Sequence, residues 1–180
     1  MNRQLRSLAT VSRRKMAPIP IALCGKSSSM AQSFASSMLP EYESKHSTPK
    51  SNGAPTDRQT VTHHFQSTSA VHQELPPLLS GSTIRPSSGV GSNAESDEVK
   101  IPRAIVVGAG FSRSELDEMR QIEGAQDLPW LYPDPLKSAA SMLSGPFLMS
   151  VIVKRAKSCL KSNGLEDSKE STTEPGVWGF

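Results

Sequence analysis

The sequence predicts a small α/β fold, a three-layer arrangement in which a parallel sheet of about four strands is covered by helices on both faces. Three observations lead there. Short apolar, β-branched runs at residues 18–24 and 104–107 are each followed by glycine and then by apolar residues at helical spacing. Strand-like and helical patterns alternate along the chain, and right-handed crossovers turn that alternation into a parallel sheet with helices on its faces. Only 36% of the 180 residues are hydrophobic, enough for one core but not for packing every segment.

The elements follow in order. Residues 1–16 carry Arg3, Arg6, Arg13, Arg14 and Lys15 with no acid, as a mitochondrial presequence or a plain disordered basic arm would. A single α/β domain is expected over 17–165. The run 18–24 is its first strand, and Pro18 and Pro20 confine it to a strand start or a sheet edge. Met30, Ala31, Phe34, Ala35, Met38 and Leu39 form one helical stripe behind it, which Pro40 ends.

Residues 44–60 change abruptly to Ser, Thr, Pro, Lys, Asn and Gly, and the strand-like pattern resumes at Val61 as though Glu43 once joined it directly. This marks an insertion, such as a retained intron read through in frame, or an ordinary surface loop. A helix is expected over 69–75 after an N-cap serine, kinked or ended by Pro76 and Pro77. Residues 82–100 are a second low-complexity stretch and read as a mobile linker.

The run 104–107 is a strand suited to burial on both faces. Gly108 and Gly110 turn the chain. Ser112 and Glu115 are spaced as a capping box for a helix reaching about Ile122, with Leu116, Met119 and Ile122 inward. Residues 128–132 form a short aromatic strand. Asp134 and Pro135 then open a helix, and another spans about 147–163 with Lys154, Arg155, Lys157 and Lys161 toward its end and Asn163-Gly164 as its stop. In the tail, 166–180, Trp178 and Phe180 are expected to dock on the domain or on a protein partner.

Bulk properties exclude several functions. A formal net charge of +3, partly gathered at the N-terminus, is too weak for a phosphate-tracking stripe, so nucleic acid is not expected as a partner. No apolar run approaches the roughly 20 residues of a membrane span. Cys24 and Cys159 are widely separated and lack metal-ligand spacing, which suits free thiols in a reducing compartment; the expected location is cytoplasmic, with mitochondrial as the alternative.

The candidate chemistry lies in two loops. Gly108-Ala109-Gly110 invites comparison with the dinucleotide fingerprint, yet its third glycine position is Arg113, and the ribose-binding acid has only Asp134 to supply it. Gly25, Lys26 and Ser27 resemble the end of a phosphate-binding loop, but the first glycine of that pattern is Pro20. Both remain able to hold an anion at a helix start. The candidate ligand residues are therefore Gly25, Lys26, Ser27, Gly108, Gly110, Ser112 and Arg113, facing one crevice, with a small anionic ligand or nucleotide as the ligand and NAD(P) one option. Cys24 is a nucleophile or, more commonly, a small buried hydrophobe. His63 and His64 point to opposite sheet faces, so with His72 they read as structural or surface residues, and no metal is expected. No catalytic residue or reaction can be assigned.

At the segments IALCGKSSSMAQSF, IVVGAGFS, LPWLYPDPLK and GVWGF the chain resembles a group of small fungal proteins without established activity. The resemblance implies a Rossmann-like or flavodoxin-like half domain. Some of those proteins accompany secondary-metabolite biosynthesis, which implies an accessory role there. Alternatives from the residues themselves are a small NAD(P)-dependent oxidoreductase and an interaction module using the aromatic tail.

Overall fold

The computed structural model describes residues 19–38, 59–134, 147–165 and 173–180. The basic arm at 1–16, nearly all of the 44–60 segment and the helix expected after Asp134 lie outside these residues. The described elements are β1 (Ile19–Cys24), α1 (Ser28–Met38), β2 (Gln59–Phe65), α2 (Thr68–Leu79), β3 (Ile105–Val107), α3 (Arg113–Met119), β4 (Pro129–Tyr132), α4 (Phe147–Ser162) and β5 (Gly176–Gly179). The strands form one sheet in the order β2-β1-β3-β4-β5, parallel throughout.

The three layers follow from alternation along the strands. Ile19, Ile21 and Leu23 of β1, with Val106 and Leu131, face α1 and α4, where Ala31, Phe34, Met38, Val153, Ala156 and Leu160 close that half of the core. Ala22 and Cys24, with Phe65, Ile105, Val107 and Trp130, face α2 and α3 and meet Val71, Leu75, Leu78, Leu116 and Met119. Each valine, leucine, isoleucine, phenylalanine or methionine among them, once buried, contributes roughly 1.5–3 kcal/mol. Trp130 can be fully buried because its indole N–H donates to the Ala125 carbonyl at 2.8 Å.

Several expectations change. Of the strand start or sheet edge expected from the prolines, the structure shows the start: Pro20 is the second residue of β1, which is an interior strand. Pro20 is accommodated because β3 pairs with β1 only from Ala22 onward, and the Pro20 carbonyl still accepts Arg103 N–H at 2.8 Å. Helix α2 begins after Ser67, whose side chain accepts from Ala70 N–H, and runs through Pro76 and Pro77. Those prolines take donors from the carbonyls of His72 and Gln73, which are exposed residues where water can substitute, while Leu75 and Leu78 stay in the core. The sheet has a fifth strand because the tail pairs with β4; Phe180 is buried among Leu131, Val153 and their neighbours, and Trp178 packs against the same cluster. Of the two docking modes expected for the tail, the structure displays the one on the chain's own domain.

The stretch 82–100 is not a mobile linker where it meets β2. Val90 and Asn93 are buried, and Asn93 bonds both N–H and carbonyl of Lys100. Ser88 donates its hydroxyl to the His64 carbonyl at 2.8 Å. Gly91, at φ +116°, lies so close to β2 that a Cβ would stand 2.5 Å from the Thr62 carbonyl oxygen. Composition signalled a loop, but it could not show that small side chains here serve close backbone approach.

Beneath this strap, His63 on the α2 face bonds Glu74 at 2.7 Å, and the other Glu74 oxygen accepts Ser87 N–H at 3.2 Å. His64, on the opposite face, bonds the Gly25 carbonyl at 2.8 Å. Burial holds both imidazoles below the usual histidine range, with Glu74 and the Gly25 carbonyl respectively opposing the shift.

Two predictions follow from the strap and its histidines. Gly91→Ala should destabilise the fold by about 2 kcal/mol or more, because a left-handed conformation and a backbone clash coincide; chemical denaturation measures it, and an unchanged midpoint would sink the close-approach argument. Because unfolded histidines bind protons more readily than His63 and His64 in the fold, their stabilisation is complete above about pH 6.5 and declines as pH falls toward their folded values. Tm should therefore drop from pH 7 to 5, and drop less in a His63→Gln/His64→Gln double variant.

Candidate functional site

The order β2-β1-β3 places a topological switch between β1 and β3, the position where open parallel sheets bind ligands beyond their C-terminal strand ends. The loops after these two strands are joined by their backbones. Gly25 N–H donates to the Phe65 carbonyl at the end of β2, and Gly108 N–H donates to the Cys24 carbonyl at 2.8 Å. A Cβ on Gly108 would lie 3.2 Å from that same oxygen, so the contact favours glycine.

Lys26 crosses from the first loop to the second. A Cβ on Gly110 would meet the Lys26 stem at 3.5 Å, and the ammonium lies 5.0 Å from the Phe111 ring centroid. It bonds Glu115 Oε1 at 3.0 Å. The other Glu115 oxygen accepts Ser112 N–H at 2.6 Å, while the Ser112 hydroxyl accepts Glu115 N–H, completing the expected capping box. The Ser112 contact first, and Lys26 second, hold the Glu115 carboxyl below the usual carboxylate range.

On the β1 side Ser27 caps α1. Its hydroxyl accepts Met30 N–H at 3.4 Å and bonds Ser29, and its carbonyl accepts Ala31 N–H. The Gln66 amide donates to the Ser28 hydroxyl, tying the end of β2 to the same helix start. Because a carbonyl only accepts, the His64 bond to Gly25 requires Nε2 to carry the hydrogen, and Nδ1 has no partner.

Of the residues expected from sequence, Gly25, Lys26, Ser27, Gly108, Gly110 and Ser112 belong to the two apposed loops. Arg113 turns away, 3.6 Å from Asp117 and 5.7 Å from the Tyr132 ring. Tyr132 in turn donates its hydroxyl to the Phe111 carbonyl. Asp134 sits at the end of β4 but engages β5, its N–H donating to the Phe180 carbonyl at 2.9 Å. Sequence reasoning missed the reach of Glu115 to Lys26, 89 residues away, and the approach of Phe111 and His64. The capping spacing identified Glu115 but not its second partner.

Cys24 is fully buried, and burial pushes its thiol far up, which removes the nucleophile reading and leaves the small hydrophobe. His72 is exposed and bonds Glu118 at 3.2 Å. Among the described residues no three His, Cys, Asp or Glu side chains gather as metal ligands, and no helix is long and apolar enough to cross a membrane.

The chain is similar to a protein of Aspergillus oryzae named Kojic acid related protein 6, with 29% identity over 144 residues that cover 78% of this chain and 75% of the relative. No protein-family profile matches the chain, and no solved structure is significantly similar to it.

Burial separates the two thiols, since Cys24 is buried and Cys159 only partly so. A maleimide added to the native protein should label Cys159 alone, with Cys24 reacting only in denaturant. Peptide mass spectrometry distinguishes the two, and native labelling of Cys24 would contradict its place in the core.

Proposed function

We propose that the protein is an accessory component of fungal secondary metabolism that binds a small phosphate-bearing ligand of nucleotide type in the crevice between the β1 and β3 loops. The metabolic context is supported by the relative's name, which ties that protein to kojic acid, a secondary metabolite. The ligand class is supported by one observation above others: at the switch point the glycine loop after β3 closes, through Gly110 and Phe111, on Lys26 of the loop after β1. A cationic side chain there, beside loops whose backbones can be approached closely, is suited to a phosphate.

The crevice suits a mononucleotide better than a dinucleotide. A dinucleotide on the β3 loop would run toward the end of β4, where Arg113, Tyr132 and the Phe111 carbonyl already form a connected set. The N–H of Ser112, a natural pyrophosphate donor, is held by Glu115. These contacts weigh against the NAD(P)-dependent oxidoreductase reading.

Thermal shift with ADP, FMN, NAD and NADP at millimolar concentration tests the proposal. A ligand at 100 times its dissociation constant adds about 2.7 kcal/mol, or roughly 5–10 °C in Tm for a chain of this size. ADP or FMN should stabilise the protein, and Lys26→Met should abolish the shift. No shift with any of the four would overturn the ligand assignment, and a shift confined to NAD or NADP would restore the reductase reading.

A further inference from the structure

We infer that Glu115 is a resident competitor for the ligand's phosphate, a built-in counter-ion that must release Lys26 before the crevice can bind. This deepens the phosphate-site reading and rests on it. The carboxylate bonds two kinds of donor that a phosphate oxygen would seek, a loop N–H at Ser112 and the ammonium of Lys26. These contacts link the two loops across the switch point.

The two contacts are not equally firm. The Ser112 bond is short and local, part of a reciprocal cap in which the Ser112 hydroxyl also holds Glu115 N–H. The Lys26 bond spans two loops between side chains that are 52% and 30% exposed, so water competes for it. A phosphate carries more charge than a carboxylate and accepts stronger charge-assisted bonds. Lys26 therefore transfers to the ligand while Glu115 stays on its cap. Lys26 then meets the phosphate on the α1 side, beside Ser27 and Ser28, and the retained Glu115 charge repels it from the start of α3.

Glu115→Gln isolates this role, because glutamine at the third helical position still accepts from the N-cap N–H and only the charge is lost. The experiment is calorimetric titration of wild type, Glu115→Gln and Lys26→Met with ADP and with inorganic pyrophosphate at low salt. Glu115→Gln should bind about fivefold tighter than wild type, the scale of an exposed ion pair plus relieved repulsion. Lys26→Met should bind neither probe. Equal or weaker binding by Glu115→Gln, with wild type binding, overturns the competitor while leaving the crevice assignment standing. Absence of binding by both wild type and Glu115→Gln overturns both. Should the variant fold poorly, carboxyl NMR of the wild-type protein gives the same decision: saturating ADP should shift the Glu115 side-chain signal and leave the Ser112 amide in its capped position. An unmoved Glu115 signal at saturation refutes the competitor.

Discussion

The double pairing of β1 is the constraint on which the rest of the structure depends. Ala22, Leu23 and Cys24 pair with β2 on one side and with Ile105, Val106 and Val107 of β3 on the other. The chain must leave β1 toward β2 over one face and return past it to β3 over the other. Accordingly α1 packs on one face, and α2 and α3 on the opposite face. Helices that diverge in this way leave the loops after β1 and β3 side by side. The Cys24 carbonyl bonded to Gly108 N–H joins the two loops directly.

The same topology puts β2 at the sheet edge, and its sequence is unusually polar for a buried strand. Thr62, His63 and His64 are all withdrawn from water. Polar groups buried without partners cost free energy, so each must find one or remain a local weakness. Thr62 donates its hydroxyl to the Ile21 carbonyl, His63 meets Glu74, and His64 meets Gly25. The strap around Ser87, Ser88 and Gly91 covers the edge that a bare strand would offer to another chain. Through His64 the edge is also coupled to the Gly25 loop. The strap that shields β2 and the loop that carries Lys26 therefore share a strand.

What the sequence made legible was local. The β-branched run before Gly108 and the Ser112–Glu115 spacing specify their elements through contacts within a few residues, and the structure retains both; of the helical stripe behind β1, Ala31, Phe34 and Met38 are buried and Ala35 packs beside them, but Met30 is exposed and Leu39 lies outside the described residues. Strand order was less legible, because Pro20 reads equally as a strand start or a sheet edge, and only the pairing of β3 with β1 from Ala22 onward shows that the start applies. The linker reading of 82–100 failed for a related reason. Glycine and serine do not say whether they provide flexibility or permit close packing, and at Gly91 the deciding atom is a carbonyl 29 residues earlier in the chain. In the site, the loops were visible and their wiring was not. Lys26 with Glu115, His64 with Gly25 and Tyr132 with Phe111 are all long-range pairs that no spacing rule encodes.

Residue 115 shows where local and tertiary demands separate. The capping box requires an acceptor at the third helical position, and either glutamine or glutamate supplies one. The helix dipole favours a carboxylate there, but its effect is confined to the first turn and is weakened by solvent. Neither demand involves Lys26, whose ammonium is nonetheless 3.0 Å from the carboxylate oxygen that the cap leaves free. One oxygen thus serves the helix and the other reaches the loop after β1. A cap already formed keeps the carboxylate in place at little further entropic cost, so a partly exposed ion pair can persist there without burial. The local fold of α3 thereby holds the carboxylate against a cation that belongs to the loop after β1.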